Sequence, residues 1–239
     1  MVTTGFEKGE NSSDIFSHPR EQGTRKADKS GMKLEHVTGV PLTRAGARRM
    51  WCKKTTFAAV EVFIDYGYSI STDIFTVDLK EGTRSGYFMR QAPGHATVVC
   101  PPGTDFYRAE RQAMLGRAIV EAMRKEVKRA VVPRLQEFSA RTGITYSRSF
   151  VRQSHTNWGS CSSNGNINLS VFLMALPSRY IDYVLLHELC HRREMNHGSR
   201  FWALLDSFTA GQAKRLRKDM NEYARGVYPL LLPLVKALR

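Results

Sequence analysis

The stretch "YIDYVLLHELCH", residues 180–191, constrains this chain more than any other. On a helix at about 100° per residue, Ile181, Val184, Leu185, Leu186, Leu189 and Cys190 cover nearly every side. A helix that is apolar almost all round has to be buried, so the fold must be built around this one. The break in its apolar surface is a polar strip. His187 and His191 lie one turn apart, about 40° from each other around the axis. Glu188 flanks them.

Two imidazoles at this spacing can reach one metal ion, and the glutamate between them can touch a metal-bound water without occupying the metal. Past the helix, "EMNHG" favours a reversal, because Asn196 and Gly198 both tolerate left-handed dihedrals. That reversal can bring His197 back as a third ligand. The rival for that position is Glu194, on the same face if the helix continues; otherwise it fits better as an acceptor for a ligand imidazole. Three neutral imidazoles leave a tetrahedral ion one open position, which favours zinc and a catalytic role over a structural one. The chemistry expected is hydrolysis, with Glu188 as general base.

The remaining sequence sets the surroundings. The formal net charge of +14 raises the odds of an anionic partner, nucleic acid included, although a solvated basic surface is the simpler reading. The four cysteines, Cys52, Cys100, Cys161 and Cys190, make no C-x-x-C pair and read as reduced thiols. The polar opening stretch has no signal-peptide pattern, and "VYPLLLPLV" is too short and proline-broken to span a bilayer. Cytoplasm is the expected compartment, and the oligomeric state stays open.

Residues 1–42 read as a disordered or loosely attached extension. Residues 55–101 read as an antiparallel unit of three or four strands punctuated by "EGTRSG" and "APGH". A long helix is expected over 104–142, capped by Thr104 or Asp105, disturbed at Pro133 and stopped at Gly143. In the core region 144–210, "ITYSRSFVRQ" and "NINLSVF" are expected to pair as a hairpin around a "TNWGSCSSNG" loop. The metal helix follows, with Ser178 as its cap, and then a helix over "SRFWALLDSF". Residues 211–239 form a basic tail of helical texture up to Pro229. The fold class expected is α+β.

The run "NWGSCSSNGNINLSVFLMALPSRYIDYVLLHELCHRREMNHGSRFW" closely resembles the YgjP-like metallopeptidases, relatives of the SprT-like and WLM groups of minimal zincins. The order W-G-S-C loop, N-I-N-L strand, H-E-L-x-H helix, N-H turn and F-W pair carries the resemblance, which covers roughly residues 45–210. Asn157 departs from it, standing where an arginine often precedes the tryptophan. The resemblance implies a zincin core, zinc on His187, His191 and His197, and Glu188 as catalytic acid/base. It also implies a substrate cleft bordered by Trp158, Gly159, Ser160, Cys161 and the strand containing Asn166, although Trp158 also suits a core position. Phe201 and Trp202 are expected to support the third ligand's turn. Peptide or protein is the substrate implied. Relatives also suggest a nucleotide (UTP-type) pyrophosphohydrolase or a DNA-associated protease, and a non-enzymatic binding module is the remaining rival, against which Glu188 argues.

Overall fold

A computed structural model describes residues 61–239. The expected extension over 1–42, and the first residues of the strand unit, lie outside the described residues. What is described is a mixed α+β arrangement of two small sheets and five α-helices.

The first sheet holds β1 (Ile70–Ser71), β2 (Thr76–Glu81), β3 (Phe88–Ala92) and β4 (His95–Cys100), in the order β1-β2-β4-β3. Its β1–β2 and β3–β4 pairs are antiparallel, but β2 and β4 run parallel. The wholly antiparallel unit expected from sequence is therefore corrected. The segment between β2 and β3 carries the chain past a vacant lane, and the tight turn after β3 folds β4 back into it. That makes β4 the central strand, and Ala96, Val98 and Cys100 are buried. Such a strand reads as a near-continuous apolar run.

The long helix comes in two α segments, α1 (Ala109–Glu126) and α2 (Val132–Thr142), joined through a π-helical turn, Val127–Val131. The π turn sits immediately before Pro133, whose missing N–H and ring displace the regular ladder. Neither Thr104 nor Asp105 caps α1: the helix begins later, after Arg108, and Asp105 accepts from the Tyr107 amide at 3.1 Å. Gly143 does end α2, in a left-handed conformation with φ 65°.

The second sheet contains β5 (Ser149–Arg152), β6 (Gly159–Cys161) and β7 (Ile167–Ser170), in the order β5-β7-β6. The expected β5–β7 hairpin is a parallel pair, and the hairpin partner of β7 is β6, from the stretch read as a loop. Gly, Ser and Cys have little strand propensity, so β6 is strand by virtue of its partner rather than its composition. A 3-10 turn, Val171–Ala175, then leads into α3 (Ser178–Cys190).

Ser178 is the first residue of α3 and not its cap. The cap comes from the β1–β2 connection: Asp73 accepts from the Ser178 amide at 2.8 Å and also from its hydroxyl. An acceptor here satisfies an otherwise orphaned donor at the helix start. Asp73→Ala is expected to cost about 0.5–2 kcal/mol, the usual range for losing a helix cap. A urea titration of metal-free protein would read this as a lower midpoint, and an unchanged midpoint would mean that water replaces the carboxylate without loss.

α3 is buried as its composition demanded; Ile181, Val184, Leu185, Leu189 and Cys190 are all essentially inaccessible. It packs against β6, α2, α4 (Ser199–Phe208) and α5 (Ala213–Lys236). The basic stretch after 211 is helical, but Pro229 does not stop it. α5 continues through Pro229 and Pro233, and Tyr68 donates to the Leu230 carbonyl between them at 2.8 Å. An interior proline costs about 3 kcal/mol, whereas burying a Val or Leu side chain returns about 1.5–3 kcal/mol. Val227, Leu231, Leu234 and Val235 are all buried, enough to hold two prolines in a helix. No described helix is long and apolar enough to cross a membrane.

Candidate metal centre

The helical repeat places His187 and His191 on one strip of α3, and the chain leaves the helix at once. α3 ends at Cys190, with His191 as its C-cap. The turn that follows returns His197 to the same point, just before Gly198 starts α4. The Nε2 atoms of His191 and His197 lie 3.2 Å and 3.0 Å from Nε2 of His187. Among the described residues these three form the group of His, Cys, Asp and Glu side chains positioned to hold a metal ion.

The donor set fits a cation. Tetrahedral coordination at about 2.0–2.1 Å per nitrogen separates neighbouring ligand atoms by about 3.3 Å, close to the spacing seen. The proton positions agree. His191 Nδ1 lies 3.1 Å from the Glu194 carbonyl, which can only accept, so Nδ1 carries the hydrogen and Nε2 presents its lone pair. A single proton between the rings could serve one nitrogen–nitrogen contact and leave the other as facing lone pairs, which is costly when buried. A shared cation satisfies all three.

Electrostatics also favour the ligand form. Burial, reinforced by His191 and His197 and by the Arg217 guanidinium, pushes the His187 imidazolium pKa down to about 2. Burial and the same kinds of neighbour bring His197 to about 4, and burial lowers His191 as well. All three rings are thus neutral near pH 7. Phe201, fully buried, sits beneath them with ring centroids 4.8, 4.6 and 4.7 Å from those of His187, His191 and His197. Trp202 lies 6.1 Å from His197. Both rings thus pack beside the third histidine.

Glu188 is 3% exposed, and burial pushes its carboxyl pKa up to about 8, opposed by a hydrogen bond from the Cys161 amide. A cation bound alongside would favour the carboxylate again. Its other neighbour is the backbone of Gly159: a Cβ there would come within 2.8 Å of Glu188 Cγ and 3.0 Å of Oε1. β6 therefore holds the acid from the side, and only glycine leaves it room. Gly159→Ala should displace the carboxylate with the histidines intact. A misplacement of about 1 Å can cost 10²-fold in rate. Steady-state kinetics beside metal analysis would check this; full turnover would show that Glu188 adapts.

A cleft of about 700 Å³ opens over the cluster, lined by Gly159, Ser160 and Cys161 of β6, by Met195 and Asn196 of the turn, and by Arg217. Gly159 and Ser160 thus lie on the cleft wall. Trp158, just before β6, does not: it is 0% exposed and belongs to the core. Asn166 is also off the cleft wall; it closes the β6–β7 turn, its amide donating to Ser162 Oγ at 3.1 Å. Glu194 meets the site through its backbone carbonyl and not its carboxylate, because α3 ends four residues before it. Arg217 was missed. It lies twenty residues beyond His197, in a basic stretch where nothing distinguishes it from its neighbours.

Fold and cluster together define the class: an α+β domain with a three-imidazole candidate metal centre on, and just beyond, a buried helix. The metallopeptidase-domain model of the YgjP-like family matches residues 90–223, and the chain belongs to that family. The match starts within β3 and runs into α5, so it takes in Arg217 as well as the histidines. No curated protein and no solved structure matches the chain.

Proposed function

We propose that this chain is a zinc-dependent peptidase that cleaves peptide bonds with Glu188 as its general base. The observation that carries the reading is the convergence of three neutral imidazole Nε2 atoms beside a buried glutamate held by the β6 backbone. His187, His191 and His197 would hold the ion, which when bound supplies Lewis-acid activation of water and of the scissile carbonyl.

The chain's own residues do the rest. The Cys161 amide favours the Glu188 carboxylate form from one side, and Gly159 leaves the side chain room against β6. Glu188 accepts a proton from the attacking water and returns it to the leaving amine. β6 is an edge strand, so its free backbone groups can pair with an extended substrate and present the scissile bond over the cluster. The low-dielectric wall formed by α3 strengthens these interactions.

The test is reconstitution. Metal-stripped protein should be inactive on a mixed peptide library and regain cleavage with about one equivalent of zinc. Cleavage that survives complete chelation would overturn the proposal.

A further inference from the structure

Alongside the cleft runs a second concavity, lined by Trp202 of α4 and by Lys214, Arg217, Lys218, Asn221, Glu222 and Arg225 of α5. Arg217 belongs to both walls, so the two spaces adjoin at this residue. The groove is strongly unbalanced in charge. It carries four cations and one carboxylate, and that carboxylate, Glu222, is committed to Lys218 at 3.9 Å. Lys214, Arg217 and Arg225 form no ion pair among the described residues. Arg217 instead lies over the Trp202 ring at 5.4 Å, which holds the guanidinium at the junction.

We infer that this groove is a subsite for acidic residues of the peptide substrate, and that the enzyme selects chains carrying Asp or Glu to one side of the bond it cuts. The inference rests on the peptidase reading. Cations along one face of a helix, Lys214, Arg217, Lys218 and Arg225, match carboxylates strung along an extended chain, and the planar Arg217 fork suits a bidentate carboxylate nearest the cleft. A substrate paired with β6 is already extended and would continue past Arg217. A single-stranded nucleic acid is a poorer fit, because it relies on open aromatic faces for base stacking, and Arg217 covers the Trp202 face here.

The experiment uses zinc-loaded Glu188→Gln protein, so that binding is read without turnover. Fluorescence anisotropy compares a labelled peptide rich in Glu, an otherwise equal peptide with Gln in place of Glu, a labelled oligo-dT and UTP as competitor. The Glu peptide should bind at least about tenfold more tightly than the Gln peptide at low salt, with the gap closing as salt rises. Lys214→Glu combined with Lys218→Glu, both at exposed positions, should abolish the preference. Equal binding of the two peptides would overturn the inference. So would a preference that survives the charge reversal, or oligo-dT or UTP binding more tightly than the Glu peptide. Cleavage by the wild type is measured in parallel: selective binding without any peptide cleavage would sink the peptidase reading and leave an acidic-peptide groove standing.

Discussion

Glu188→Gln should lower kcat on a cleavable peptide by about 10²–10⁴-fold, the usual contribution of a positioned general base, while bound zinc should stay at about one per chain. The amide keeps the shape and can still accept from Cys161 N–H, so cleft and ligands stay in place. What goes is the basic oxygen. A loss of metal in parallel would mean that Glu188 serves the site structurally. Retention of most of the activity would move the proton transfer to another group. Because the side chain is almost wholly buried, the carboxylate pays for its desolvation only if something nearby rewards the charge. The neutral amide should therefore leave the metal-free protein at least as stable as the wild type.

Removing a ligand gives the other large effect. His191→Ala should reduce bound zinc from about one per chain to roughly a tenth or less after dialysis, since protein sites that retain zinc supply at least three ligands and this one would have two, and activity should fall with it. His187→Ala should do the same and also destabilise the metal-free protein, because His187 is 3% exposed and packs edge-on against Phe201. His191 is only partly buried, so the two variants separate loss of metal from loss of packing. Atomic absorption with urea unfolding reads both quantities. Zinc retained at full stoichiometry in both variants would move the metal site elsewhere.

The difference between what the sequence showed and what it hid follows from the range of the interactions. His187, Glu188 and His191 were legible because helical periodicity fixes their relative directions locally, and apolar residues on every other side declared the helix buried. The return of His197 was legible in "EMNHG", but not its means: neither Asn196 nor Gly198 is left-handed, and Gly198 lies at φ −76°. β6 was read as loop because its strand character is lent by β7 across a turn, and no residue in "WGSC" advertises it. The parallel β5–β7 pairing was hidden for the same reason, since insertion of β6 at the other edge of β7 decides it. Asp73 replaced Ser178 as the helix cap because a cap can come from any distance in the chain. Arg217 was invisible because its role depends on how α5 packs, and one arginine among several carries no mark of it. Glu194 does accept from a ligand imidazole, but through its backbone carbonyl, a role that its side chain does not mark in the sequence.

All three candidate ligands fall between residues 187 and 197, whereas the groups that hold Glu188 come from some thirty residues upstream. An unfolded chain keeps the ligands near one another, so it can hold zinc too, and any such affinity subtracts from the stability that the ion confers on the native state. Saturating zinc should therefore raise the melting temperature less than its affinity for the folded protein would suggest. Chelation should leave a domain that is still folded. A short synthetic fragment of α3 and its turn would be a metal binder with no hydrolytic power.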